Sequence, residues 1–243
     1  MAASRSEQGW KGRREPAPSG VDALLGRLMR SEAAEILRVN GMRAARLTYR
    51  TPQPLLLHRH DLPTLLNRRG LLGCGVEVGV KKGEFSEVLL SKWWGRHLIS
   101  VDPWRSAPAD EYVDLANVEQ DEHDRYHAET RARLSRFGER SSVWRMTGEE
   151  ATARVPHHCL DFVYLDARHD HDSLSEDLLH WYEKVRPGGL LAGHDYIDGH
   201  FPTGDFGVQS AVDEFFGARG LPVHATRADA PWRTWFVSVP RGT

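Results

Sequence analysis

"GCGVEVGVKKGEFSEVLL", residues 73–90, reads as a short apolar strand, a glycine-bearing bend and a helix. Gly79 and Gly83 sit close to the bend, and a lone acid, Glu77, stands just before it. A Walker loop needs GxxxxGK followed by Ser or Thr, so that the lysine reaches phosphates. Here Lys81 and Lys82 precede the second glycine and no Lys-Ser/Thr pair follows it. A dinucleotide turn needs GxGxxG, whose middle glycine admits a pyrophosphate. This turn is ExGxxxG, and Glu77 would repel phosphate. An acid suits an ammonium or hydroxyl donors, so the turn favours an amino-acid-bearing, phosphate-free nucleoside.

Outward from this turn the pattern is regular. Strands are expected at "GVEVGV" (75–80), "HLISVD" (97–102), "SVWRM" (142–146), "DFVYLD" (161–166) and "GLLAGHDY" (189–196). Helical stretches separate them, and "GVQSAVDEFFGARG" (207–220) precedes two last strands, "PVHAT" (222–226) and "TWFVSV" (234–239). Alternating strands and helices build βαβ units and a parallel sheet, and the central strands are nearly continuous apolar runs, as strands covered on both faces should be. "RADAPWR" (227–233) predicts an antiparallel hairpin at one edge. Upstream, "VDALLGRLMRSEAAEIL" (21–37) has helical spacing, and "DLPTLLNRRGL" (61–71) is a helix with Asp61 as N-cap and Pro63 in its first turn. The expected organisation is a flexible tail over 1–20, a helical cap over 21–70 and a catalytic α/β domain over 71–243.

Composition narrows the function. The chain has 243 residues, enough for a sizeable core, and a formal net charge of −2. Near-neutrality disfavours nucleic acid as a partner. Two cysteines, Cys74 and Cys159, form no CxxC and fit a reducing compartment. No apolar run is long enough for a bilayer, and the first twenty residues lack an apolar signal region. The expectation is a cytoplasmic protein without membrane or nucleic-acid partners. Homo-oligomerisation is left open.

In open parallel sheets, ligands bind outside the carboxyl ends of the strands, where strand order reverses. Acids recur at those ends: Glu77, Asp102, Glu149 with Glu150, Asp166 and Asp195. Asp102 lies 25 residues past Glu77, at the end of the next strand, where an acid accepts the two hydroxyls of a ribose. Trp104 is a candidate to stack on a purine. Gly148 with Glu149 falls where a third strand meets the adenine edge.

"VEVGVKKGEFS", "ISVDPW", "MTGEEA", "DFVYLDARHDH" and "VRPGGLLAGHDY" together resemble the successive motifs of class I S-adenosylmethionine-dependent methyltransferases, nearest the bacterial small-molecule, sugar O-methyltransferase-like branch. The resemblance covers about residues 60 to 238. It implies a Rossmann-like, doubly wound α/β fold with a seven-stranded, mostly parallel sheet and one antiparallel edge strand. It implies S-adenosylmethionine over the glycine turn, with Glu77 and Gly79 at the methionine end, Asp102 at the ribose and Glu149 on the adenine side. The candidate cofactor-binding set is thus Glu77, Gly79, Gly83, Asp102, Trp104, Gly148, Glu149 and Asp166.

In the doubly wound order the fourth and fifth strands are neighbours, which brings Asp166 beside His194 and Asp195. Two carboxylates and an imidazole make a divalent-metal site, for magnesium, manganese or another ion. His194 stands where the resembling metal-dependent enzymes carry a third acid. His169 is the first candidate base for a hydroxyl acceptor and His171 the second. Asp166 completes the catalytic pair. Tyr196, His200 and Trp232 are expected to wall the acceptor pocket. The expected activity is methylation of a small-molecule hydroxyl, metal-assisted. The alternatives are metal-independent N-methylation and a catalytically silent cofactor- or partner-binding protein. A nicotinamide oxidoreductase is disfavoured by the ExGxxxG turn.

Overall fold

The computed structural model describes residues 56–108, 116–201 and 204–241. All fall in the unit Leu55–Thr243. The tail and the first cap helix expected at 21–37 lie outside the described residues.

A seven-stranded sheet has the order β3-β2-β1-β4-β5-β9-β8. Its strands are β1 (Cys74–Val78), β2 (His97–Asp102), β3 (Ser141–Arg145), β4 (Leu160–Leu165), β5 (Val185–Gly193), β8 (His224–Ala225) and β9 (Trp235–Ser238). The first five run parallel. β9 pairs antiparallel with both β5 and β8, which forms the hairpin read from the sequence. The helices are α1 (Leu62–Arg69), α2 (Glu84–Lys92), α3 (Gln120–Leu134), α4 (Gly148–Thr152), α5 (His171–Tyr182) and α6 (Val208–Gly217). A small hairpin not foreseen, β6 (Asp198–Phe201) with β7 (Gly204–Gly207), stands apart from the main sheet.

Both faces of the sheet are covered. On one, Val76, Val163 and Leu191 pack with Leu178 and Trp181 of α5 and Phe216 of α6. On the other, Phe162, Tyr164, Leu190 and Ala192 pack with Leu65 and Leu66 of α1 and Leu89 of α2. This double burial explains the apolar run Phe162–Leu165 of β4, all six of whose residues are buried. Gly75 is required because a Cβ there would enter the Phe162 ring, which also meets Trp93 edge-on at 4.9 Å.

α1 begins as expected with Pro63 in its first turn and ends at Gly70. Asp61 does not cap it by a side-chain bond. Its carboxylate instead accepts the N–H groups of Leu57 and His58, at 3.2 and 3.0 Å, and closes the preceding turn. Strand order reverses between β1 and β4, so the crevice lies outside the ends of β1, β2 and β4.

Candidate functional site

A cavity of about 740 Å³ opens at these strand ends. Glu77, Gly79, Asp102, Gly148, Glu149, Asp166, His169 and Asp195 all line it. Glu77 and Asp102 therefore share one rim. Glu84, Glu176 and Asp177 add further acid, against Arg59, Lys81, Lys82, Arg105 and Arg168.

Glu77 is buried between Ser100 of β2 and Tyr164 of β4, its register partners. Its carboxyl accepts a hydrogen bond from Ser86, whose hydroxyl lies 2.8 Å from that of Ser100. Burial pushes its pKa up to about 8, against the opposing pull of the Ser86 bond. A cationic ligand group in the cavity would restore the ionised form. Gly79 adopts φ +87°, and a Cβ there would collide with the Asp166 carbonyl. Its N–H donates to the Val101 carbonyl at 2.9 Å, which ties the turn to β2. Gly83, at φ +72°, precedes α2 and faces Thr130 of α3 rather than the cavity.

Asp102 braces the same turn. Its Oδ2 accepts the N–H groups of Val80 and Lys81, both at 2.9 Å, and its Oδ1 accepts that of Trp104 at 2.7 Å. A carboxylate has about four acceptor positions, so these bonds leave little capacity for ribose hydroxyls. Trp104 is fully buried, off the cavity wall. Its indole N–H donates to the Lys81 carbonyl at 2.7 Å and its ring meets His127 at 4.7 Å. The expected purine stack is thus not the role its packing supports. The chain turns at Trp104, φ +41°, and drives the ring inward beneath the loop.

At the β3 exit, Thr147 caps α4 reciprocally with Glu150. This leaves Gly148 and Glu149 on the cavity wall and commits Glu150 to structure. Facing them from α5 is Asp177, which sequence reading did not single out. Burial, with Glu176 adding to it, pushes its carboxyl up to about 7.

At the other end, Asp166, His169 and Asp195 offer ligand atoms within 4.8 Å of one another. His169 Nε2 lies 3.1 Å from Asp195 Oδ2 and 3.8 Å from Asp166 Oδ1. His194 Nδ1 lies 2.7 Å from Asp195 Oδ1. Burial would raise the Asp195 carboxyl, but the bonds from His169 and His194 prevail and hold it well below the usual range. The cluster of donors therefore places His169 where the sequence suggested His194, which borders the cluster at 3.8 Å from Asp166 and does not line the main cavity. The Phe206 ring of β7 stacks on His169 at 4.8 Å.

Arg59 also reaches this end. Its guanidinium lies 3.4 Å from Asp166 Oδ2 and over the Phe85 ring at 5.0 Å. Its backbone N–H donates to Asp229 at 2.6 Å. Nothing in the motif spacing marks Arg59, because long-range contact with residue 229 positions it.

The residues expected to wall the acceptor pocket do not line this cavity. Asp195 adopts φ +52°, and the next residue, Tyr196, donates its hydroxyl to Asp213 at 2.5 Å. His200 is 89% exposed and pairs with Asp205 across the small hairpin. Trp232 packs on Phe201 and Phe206, one ring removed from His169. His171, the second candidate base, pairs with Asp172 and Glu214 away from the cavity.

Comparison with known proteins agrees with this fold. A family model described as "Methyltransferase domain" matches residues 76–196. No curated protein matches the chain. Among solved structures, the O-methyltransferase TomG from Streptomyces achromogenes, in complex with S-adenosylmethionine, has a TM-score of 0.55 at 16% identity, over 91% of this chain and 96% of that one. An O-methyltransferase from Bacillus cereus, in complex with S-adenosylhomocysteine, has a TM-score of 0.53 at 14% identity, over 89% and 97%. The N-methyltransferase NodS from Bradyrhizobium japonicum has a TM-score of 0.52 at 14% identity, over 75% and 95%. These likenesses are of fold. Residues 76–196 match a methyltransferase domain, and the solved structures share its fold.

Proposed function

We propose that the chain methylates a hydroxyl of a small molecule. The observation that carries this reading is the single cavity shared by Glu77, Asp102 and Asp166, with His169 and Asp195 at one end. S-adenosylmethionine is cationic at sulfur and ammonium and carries no phosphate. It suits a rim of carboxylates behind a turn that cannot admit a pyrophosphate. The methionine end lies toward Glu77 and the methyl toward Asp166 and His169.

In the transfer, the acceptor oxygen attacks the methyl carbon, the carbon–sulfur bond breaks, and the electron pair leaves with sulfur as S-adenosylhomocysteine. The hydroxyl proton passes to His169. Asp195, 3.1 Å from that ring, stabilises the imidazolium that forms. In-line alignment of donor and acceptor supplies much of the rate. Alternatively, the donor atoms of Asp166, His169 and Asp195 are spaced for one divalent ion, and their mixed nitrogen–oxygen set suits manganese, iron or zinc as well as magnesium; with His169 bound to such an ion, the ion would take over from it as the group that activates the hydroxyl. Such an ion would lower the pKa of the acceptor hydroxyl.

Arg59 favours a second reading. Its positive charge already faces Asp166, so transfer without metal, to oxygen or to nitrogen, is the alternative. Incubation with isotopically labelled methyl donor and a metabolite extract, read by mass spectrometry, tests the proposal. A labelled small-molecule ether, lost on chelation and restored by one added metal, is the expected outcome. Chelator-indifferent transfer selects the Arg59 reading. Absence of any labelled product across extracts would leave cofactor binding without catalysis.

A further inference from the structure

The two oxygens of Asp166 face different cations. Oδ1 turns to the donor cluster, 3.8 Å from His169 Nε2. Oδ2 turns to the Arg59 guanidinium, at 3.4 Å. A charge-assisted pair of nitrogen and oxygen closes to about 2.7–2.9 Å when nothing opposes it. This pair stops short, so the guanidinium stands beside the carboxylate without being locked onto it. The Phe85 ring lies 5.0 Å beneath the guanidinium and the buried Tyr164 hydroxyl lies beside it. The Arg59 side chain is 31% exposed and lines the cavity, which leaves it room to move outward.

The backbone of Arg59, by contrast, is fixed. Its N–H donates to Asp229 Oδ2 at 2.6 Å, and the His58 ring pairs with the other oxygen of the same carboxylate. The Ala228 N–H donates to the Leu57 carbonyl at 2.9 Å. The loop between β8 and β9 thus clasps the segment that carries Arg59 and aims its side chain at Asp166.

Asp166 and Asp195 concentrate negative charge around His169, and Arg59 offsets it. A divalent ion on Asp166, His169 and Asp195 would offset the same charge, from the far side of the same carboxylate. Two cations so close repel each other strongly at the permittivity of a protein interior. An ion that binds only when the guanidinium has withdrawn sees its affinity reduced by the fraction of molecules in that state.

We infer that Arg59 is a built-in competitor for the cation at Asp166: a divalent ion enters only as the guanidinium swings away, and the clasp through Asp229 holds the affinity for that ion low. The inference rests on the metal-assisted form of the proposed function and adds a means of regulating that site. Asp229 acts through Arg59 and is a positioning residue.

Calorimetric titration of the full chain with Mn²⁺ alone tests this, with the fold of each variant checked by thermal denaturation. Arg59→Gln removes the charge and is expected to bind Mn²⁺ about 10- to 100-fold more tightly than the wild type. Arg59→Lys keeps the charge and should stay within a few-fold of the wild type. Asp229→Asn is expected to tighten binding about threefold or more, and to add nothing in the Arg59→Gln background. A merely structural role for Asp229 would weaken binding in both backgrounds. Arg96→Gln, beside Cys74 at the opposite end of the sheet, should leave the affinity unchanged. If Arg59→Gln binds Mn²⁺ no more tightly than the wild type, or Arg59→Lys tightens it equally, the competition is overturned while the metal site stands. If Arg59→Gln binds no Mn²⁺, or binds it equally well after Asp166→Ala is added, the metal reading itself fails and the inference falls with it.

Discussion

Asp102 braces the turn that faces the cavity, which makes its substitution informative. Three backbone N–H groups of the glycine turn and its flank end on this one carboxylate. Asp102→Ala is expected to destabilise the fold by about 1–3 kcal/mol, measured by denaturant titration, and to weaken S-adenosylhomocysteine binding tenfold or more in calorimetry. Unchanged affinity would show that the turn holds its ligand without it. Asp166 contrasts with this, since it stands at the reacting end. Asp166→Ala is expected to lower turnover at least 100-fold while cofactor affinity changes only a few-fold. Glu77 supplies a pH signature. Its folded pKa, about 8, exceeds the ordinary carboxyl value of 4.5. Between those values the folded state holds a proton that the unfolded state has lost. The ligand-free protein should therefore lose stability as pH rises through that window, by up to about 1.4 kcal/mol per pH unit. Melting curves of Glu77→Gln across pH 5 to 8 should be flatter than those of the wild type, and identical slopes would remove this role. Residue identity was legible in the sequence for the acids because strand ends display them. It misled at Trp104, where a positive φ turns the ring inward, and at Tyr196, which follows the positive-φ Asp195.

At the scale of elements, the glycine turn and the β4 exit are one construction. Gly79 has a left-handed backbone and lies against the Asp166 carbonyl, so neither loop can shift alone. Gly79→Ala is expected to cost about 2 kcal/mol or more of stability and to abolish cofactor binding. A variant of wild-type stability would mean that the two loops are not in contact. The main strands were readable because strands buried on both faces leave unbroken apolar runs. β2, at His97–Asp102, falls where the pattern put it. The β6–β7 hairpin was not readable, because "DGHFPTGDFG" is polar and rich in turn residues. Its pairing comes from tertiary support: Gly207 N–H donates to the His169 carbonyl at 2.9 Å, and Phe206 stacks on the His169 ring.

At the scale of the molecule, sheet order converts scattered acids into one cradle. β1, β2 and β4 bring Glu77, Asp102 and Asp166 to a common edge from positions far apart in sequence. Arg59 and Asp177 complete the wall from outside the strand-end motifs, and only the folded chain assembles them. The most direct measurement is calorimetric titration of the purified full chain with S-adenosylhomocysteine and, separately, with NAD. Saturable one-to-one binding of the first and none of the second is the predicted result. Tighter binding of NAD, or no heat with S-adenosylhomocysteine, would contradict the cradle.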